Sequence, residues 1–135
     1  MSLVEVKNVR KVYRVGKEKI VALNHVTLSI EQGEICCILG TSGSGKSTLL
    51  NVMAGLERPT KGDILIGGVN IAKLSEKQLA LFRQKNVGFV FQSYNLMPTQ
   101  TAIENVAMPL MFRGVSKKIR TKEAIKMLKA VQLQK

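Results

Sequence analysis

The sequence has few aromatic residues, which account for 4% of its 135 positions, and it has no tryptophan. The apolar share of 45% is nevertheless close to the globular average, which predicts a folded chain with an aliphatic core. The longest apolar runs, such as 35–39 and 106–112, are far too short to cross a bilayer, because a spanning helix needs about 20 apolar residues. No basic segment followed by an apolar stretch opens the chain, so we expect a soluble protein that is not secreted.

Two cysteines and one histidine leave little material for a disulfide or a metal centre. Cys36 and Cys37 are adjacent in an apolar run, and neighbours on a strand point to opposite faces, so they are poorly placed to bridge each other. We expect two small buried thiols in a reducing compartment. The only histidine is His25, and no metal-ligand spacing is present.

Acidic residues are scarce, and 21 lysines and arginines against 9 carboxylates give a net charge of +12. In residues 113–135 eight basic residues face a single acid, Glu123, while Ile125, Leu128 and Val131 recur at helical spacing. A nucleic-acid binder or a membrane-surface helix would have this imbalance, and so would a solvated helix face. We favour the solvated face, because no aromatic side chains interleave the charges to stack with bases. The eight are Arg113, Lys117, Lys118, Arg120, Lys122, Lys126, Lys129 and Lys135.

Alternating polarity predicts an antiparallel sheet at the start of the chain. Segments 3–9 and 21–30 alternate at period two around a polar turn at 15–19, and a short strand at 63–66 ends at a Gly-Gly pair. Residues 35–39 and 87–91 are instead continuously apolar, which is typical of strands covered on both faces in a parallel sheet.

Helices are predicted from their boundary residues. A helix follows at 49–54, with Gly55 suited to its C-terminal end. Two further helices begin at capping boxes, Ser75 with Gln78 and Thr101 with Glu104, and Pro109 should kink or end the second of them. The basic C-terminal helix is expected to start behind Ser116.

The strongest motif is a phosphate-binding loop, since Gly40 to Ser47 matches G-x-x-x-x-G-K-[ST] in full. Glycines let successive backbone N–H groups converge on phosphate oxygens, and the following helix N-terminus adds positive potential. Lys46 supplies a mobile charge for the β- and γ-phosphates, and the Ser47 hydroxyl is placed to ligate Mg²⁺. An apolar run before the loop and a predicted helix after it are the context that this mechanism requires.

The form of this loop and the segments after it resemble the ATP-binding subunits of ABC transporters. Thr41-Ser42-Gly43-Ser44 looks like that family's loop, and 87–92 resembles its Q-loop strand, followed by 95–98 and 101–106. The combination looks most like the subgroup that serves macrolide exporters and lipoprotein-releasing complexes, and it extends over nearly the whole chain.

The resemblance implies an α/β fold: a P-loop NTPase (RecA-like) core, an N-terminal antiparallel β-subdomain and the start of a helical subdomain, together incomplete. Residues of about 1–34 and 60–72 would form the β-subdomain, about 35–58 and 73–95 the P-loop core, and about 96–135 the helical part. In the family's sheet, strands from beyond this sequence lie between the P-loop and Q-loop strands. We therefore expect unpaired apolar edges here, with self-association, low solubility or local rearrangement.

The resemblance also assigns roles to single residues. Tyr13 would stack on adenine, although an ordinary strand aromatic is the alternative, and Thr48 would help to hold the α-phosphate. Lys46 and Gln92 would be the catalytic residues, with Gln92 contacting Mg²⁺ and the attacking water; a Gln closing a buried strand could instead satisfy backbone groups. The implied ATP-binding set is Tyr13, Gly40, Thr41, Ser42, Gly43, Ser44, Gly45, Lys46, Ser47 and Thr48, and the implied Mg²⁺ ligands are Ser47 and Gln92.

The family's partners follow in the same way. Residues 94–97 fall where the family docks a transmembrane permease subunit or domain, although their Leu-Met pair is as often plain packing. A second ATP-binding subunit would complete a homodimer on the inner face of the cell membrane, coupling ATP hydrolysis to export or extraction of a substrate. The protein would be cytoplasmic and peripheral to that membrane, and nucleic acid is not expected as a partner.

Some of the family's hydrolytic residues have no counterpart in the sequence. The only aspartate, Asp63, begins a strand, no Asp-Glu pair exists, Gly67-Gly68 is not the Leu-Ser-Gly-Gly-Gln signature, and His25 precedes the loop. We therefore expect ATP binding without efficient hydrolysis. Two alternatives stay open: a nucleotide-binding module without turnover, and a nucleic-acid-associated ATPase of the same type.

Overall fold

The computed structural model describes residues 2–133, so Met1, Gln134 and the basic Lys135 lie outside the described residues. The chain divides into two compact units, Met1–Val87 and Gly88–Lys135. Among the helices of the described range, none has the length and apolar character needed to cross a bilayer.

An antiparallel sheet dominates the first unit. Strand β1 (Ser2–Val15) and strand β2 (Glu18–Glu31) form the predicted hairpin, and β1 also pairs with β3 (Lys61–Ile66). A short β4 (Val69–Asn70) completes the order β2-β1-β3-β4. The predicted period-two alternation over 3–9 is interrupted on β1: Val6 and Val9 are both fully buried with two exposed residues between them, because the pairing with β2 shifts register there and Asn8 has φ 52°.

Helices cover one face of this sheet. Helix α1 (Lys46–Met53) follows the glycine-rich loop, and α2 (Glu76–Asn86) begins at the predicted capping box of Ser75 and Gln78. Gly55 lies just beyond α1 with φ 68°, as predicted for a helix end. The aliphatic core draws on the sheet, both helices and the 3₁₀ turn Ile71–Lys73. Its buried members are Val6, Val9, Leu23, Leu49, Val52, Ile64, Ile71 and Leu79.

The prediction of two buried parallel strands is wrong for the described residues. Neither 35–39 nor 87–91 forms a strand, and Ile35, Leu39 and Val90 are 93%, 92% and 97% exposed. Cys36 and Cys37 are free and exposed, so the expectation of buried thiols is also wrong. An apolar run becomes a strand only where a neighbouring strand takes its N–H and C=O groups, and no described strand pairs with either run.

The second unit contains a pair of helices. Helix α3 (Ala102–Phe112) starts at the predicted capping box, where the Thr101 hydroxyl accepts from the Glu104 amide at 3.2 Å. It packs against α4 (Lys117–Ala130) around the buried Ala107 and Ala124. The prediction was that Pro109 would kink or end this helix, and the second alternative is wrong, because α3 continues three residues past Pro109. The helix ends at Phe112, with Arg113 as its C-cap and Gly114 just beyond it at φ 75°.

Candidate functional site

The glycine-rich loop leads directly into α1 and is fixed against the sheet at its last glycine. Gly43 and Gly45 have φ of 77° and 90°, in the left-handed region that favours glycine. A Cβ on Gly45 would lie 2.5 Å from the carbonyl oxygen of Ala22 on β2, so only glycine lets the loop approach this strand. The Gly45 carbonyl then accepts the first helical hydrogen bond, from the Leu49 amide at 2.8 Å.

Lys46 folds its side chain back over the loop. Its ammonium donates to the carbonyls of Gly40 at 2.8 Å and Thr41 at 2.6 Å, and lies 3.4 Å from the Ser44 hydroxyl. An ammonium has three N–H donors and no acceptor. The three loop oxygens therefore accept the hydrogen bonds that the ammonium could otherwise donate to a phosphate. A phosphate at this loop would have to displace these carbonyls to bond with the Lys46 ammonium.

Ser47 and Thr48 lie in the first turn of α1. Ser47 is exposed and Thr48 is half-buried, so the Ser47 hydroxyl is open to a ligand in front of the helix N-terminus. Mg²⁺ commonly takes one or two protein oxygens together with phosphate oxygens and waters, and one hydroxyl here fits that donor set. Within residues 2–133 no group of three or more His, Cys, Asp or Glu side chains is placed to hold a metal ion.

Tyr13 on β1 lies against the same helix. Its hydroxyl donates to the Glu57 carboxylate at 2.6 Å. Burial of the ring and the bond to Glu57 raise the pKa of Tyr13, while a bond with the Thr48 side chain acts in the opposite direction. The structure thus brings the predicted base-stacking ring next to the helix that the phosphate-binding loop opens.

Sequence reasoning missed the residues that surround this ring. Glu57 accepts from Tyr13 and from Asn51 of α1, and it forms an ion pair with Lys11 at 3.2 Å. These partners hold the pKa of Glu57 below its usual value, the Tyr13 hydrogen bond most of all. Glu57 is 44 residues from Tyr13 in the chain and belongs to no motif, so no local pattern could have found it.

The remaining predicted residues belong to the second unit, Gly88–Lys135. Gln92 is exposed and lies in an irregular segment, not at the end of a strand. Tyr94, Leu96 and Met97 are also exposed. Asn105 of α3 anchors the end of this segment, because its side chain accepts from the Met97 amide at 2.8 Å and donates to the Met97 carbonyl at 3.2 Å.

Comparison with known proteins agrees with this geometry. The family model for "ABC transporter" matches residues 23–135. A methionine import ATP-binding protein, MetN of Latilactobacillus sakei, is 46% identical over 131 residues, which are 97% of this chain and 38% of the relative. The macrolide export ATP-binding/permease protein MacB of Rhodopirellula baltica is 40% identical over 133 residues, 97% of this chain and 19% of the relative.

A solved structure of an ATP-binding cassette has the same fold as this chain. The ATP-binding cassette MJ0796 of Methanocaldococcus jannaschii, a dimer bound to ADP and Pi, matches with a TM-score of 0.87 and 44% identity over 93% of this chain and 56% of that one. The chain spans about half the length of the first curated relatives it matches. The predicted family resemblance and fold class are confirmed, and this chain belongs to the ABC transporter family as one of its ATP-binding proteins.

Proposed function

We propose that the loop from Gly40 to Ser47, with Thr48, binds the triphosphate of Mg-ATP, and that Tyr13 stacks on its adenine. The observation that carries this proposal is the arrangement of one unit of the chain, in which the loop, α1 and the Tyr13 ring are held together by Gly45 and Glu57. Lys46 moves from the loop carbonyls to the β- and γ-phosphates, and the Ser47 hydroxyl contributes an oxygen to Mg²⁺.

The proposal extends to a subunit that couples ATP binding and hydrolysis to transport. Support comes from the family and from MacB, whose name describes an ATP-binding and permease protein for macrolide export. MetN is named for import at similar identity, so export or extraction rests on the motif resemblance alone. We place the protein in the cytoplasm, peripheral to the inner face of the membrane.

Two partners are proposed for the complete subunit. The exposed segment 94–97 would contact a transmembrane permease, with Asn105 keeping the segment in shape. A second ATP-binding subunit is supported by the dimeric structure of MJ0796. Gln92 would have two roles, as a ligand of Mg²⁺ and as a link between the nucleotide site and the permease. Its side chain is exposed and therefore accessible for both roles.

Hydrolysis by residues 1–135 alone is expected to be inefficient. The single aspartate, Asp63, accepts from Asn70 at 2.7 Å and pairs with Lys73 at 3.4 Å at the sheet, and Glu57 is committed to Tyr13 and Lys11. Both acids are therefore engaged by partners within the fold, which supports the expectation of inefficient hydrolysis.

Isothermal titration calorimetry with Mg-ATP, run beside a phosphate-release assay, tests the proposal. We expect the chain to bind Mg-ATP, the Lys46→Ala variant to bind far more weakly, and phosphate release to stay at the level of that variant. Lys61→Ala is the matched control, because Lys61 is a lysine of the same unit on β3. Absence of binding, or equal binding by wild type and Lys46→Ala, would refute the nucleotide site, whereas release well above the Lys46→Ala background would refute only the prediction of inefficient hydrolysis.

A further inference from the structure

The Glu57 carboxylate joins two parts of the nucleotide site that are distant in sequence. One oxygen accepts from the Tyr13 hydroxyl at 2.6 Å, and the other accepts from the Asn51 side-chain amide at 3.1 Å. The Glu57 backbone amide also donates to the Asn51 carbonyl at 3.2 Å. Asn51 belongs to α1, which begins at Lys46, so Glu57 is fastened to the phosphate-binding helix and holds the Tyr13 hydroxyl from there.

Lys11 adds a second restraint on the same ring. Its ammonium lies 5.0 Å from the centroid of Tyr13, over the face of the ring, and 3.2 Å from the Glu57 carboxylate. It also donates to the Arg58 carbonyl at 2.8 Å, and its side chain is only 15% exposed. A cation above an aromatic face is attracted by the ring, so Lys11 covers one face of Tyr13.

We propose that Glu57 is a positioning residue, which fixes the Tyr13 ring relative to α1 so that the purine of a bound nucleoside triphosphate stacks on the face opposite Lys11. This inference rests on the proposed function. A ring already held in place loses less conformational freedom when the base stacks, so more of the stacking free energy contributes to affinity. Glu57 itself touches neither phosphate nor base in this arrangement.

The experiment compares two probes, Mg-ATP and Mg-tripolyphosphate, by calorimetry. Tripolyphosphate has the phosphates but no base, so it reports on the loop and Lys46 without the ring. We expect Glu57→Ala and Tyr13→Phe each to weaken Mg-ATP binding about fivefold to tenfold, because each variant loses the charge-assisted hydrogen bond between Tyr13 and Glu57. Tripolyphosphate has no base to stack on the ring, so its binding should change by less than about twofold. The variant that carries both substitutions should bind Mg-ATP no more weakly than the weaker-binding single variant, because both substitutions remove the same Tyr13–Glu57 hydrogen bond.

Glu5→Ala is the matched control, because Glu5 is a carboxylate on β1 with its own lysine partner, Lys7 at 2.8 Å. It should change neither affinity. Unchanged Mg-ATP affinity in Glu57→Ala and Tyr13→Phe overturns the inference, and so does an equal loss for both probes, which would mean that Glu57 supports the fold in general. If wild type binds neither probe, the proposed function itself fails. If wild type binds tripolyphosphate and Lys46→Ala does not, while Glu57→Ala keeps the Mg-ATP affinity of wild type, the loop stands and the role of Glu57 is refuted.

Discussion

Alanine at Gly45 should destabilise the first unit more than alanine at Gly43, although both are loop glycines with positive φ. Gly43 has φ 77° and nothing within 4 Å of an added Cβ, so Gly43→Ala carries only the cost of the left-handed conformation. That cost is about 1–2 kcal/mol, and the lower entropy of the unfolded chain offsets part of it. We expect a net loss of about 1 kcal/mol.

Gly45→Ala carries the same conformational cost and a collision as well. Its Cβ would lie 2.5 Å from the Ala22 carbonyl oxygen and 3.2 Å from a methyl of Leu23, both well inside ordinary contact. Overpacking of this kind costs about 1–3 kcal/mol, and the clash with backbone cannot be relieved by turning a flexible side chain. The expected total for Gly45→Ala is about 2–4 kcal/mol, a large part of the stability of a typical domain.

Urea unfolding followed by tyrosine fluorescence measures this difference. The variants are made in a Tyr94→Phe background, so that Tyr13 of the first unit is the only tyrosine that reports. We expect the Gly45→Ala midpoint to fall clearly below that of Gly43→Ala, with similar slopes. Equal losses for the two variants would refute the close approach of the loop to β2.

Two further predictions concern capping and pH. Thr101→Ala should destabilise the second unit by about 1 kcal/mol in thermal unfolding, because the Thr101 hydroxyl caps the Glu104 amide. Ser116→Ala is the control and should cost little, since the Ser116 side chain makes no capping bond to α4. Similar losses of stability for the two variants would contradict this prediction. The lowered pKa of Glu57 implies a contribution to stability that is present above its ordinary value of 4.5 and is lost as the pH falls through the lower value of the folded state. The stability difference between wild type and Glu57→Gln should therefore be constant near neutral pH and shrink in acid, and a difference independent of pH would contradict it.

Local signals in the sequence predicted the antiparallel hairpin and the starts of α2, α3 and α4, whereas α1 begins three residues before its predicted range. Period-two alternation, the capping boxes at Ser75 and Thr101, and the position of Gly55 each depend on interactions within a few residues, so they could be read from the chain. The loop and its helix were predictable for the same reason, because G-x-x-x-x-G-K-[ST] is a contiguous motif.

Long-range features could not be read in this way. The apolar run at 35–39 has the composition of a buried strand, but a strand also needs a neighbour, and the local sequence does not say whether one is available. Pro109 removes the one helical hydrogen bond that its own N–H would have donated, but the turn after it still forms, since the Arg113 amide donates to the Pro109 carbonyl at 3.3 Å. The partners of Tyr13 are contributed by three separate segments, so Glu57 and Lys11 emerged only from the folded arrangement.

The central claim is that the loop amides and Lys46 bind a magnesium–triphosphate group. Titration of ¹⁵N-labelled protein with Mg-ATP, observed by heteronuclear NMR, tests it residue by residue. We expect the largest amide shifts in residues 41–48, with smaller ones at Tyr13, and none of them in Lys46→Ala. Shifts confined to the basic helix α4, or no shifts at saturating Mg-ATP in a folded sample, would contradict the account.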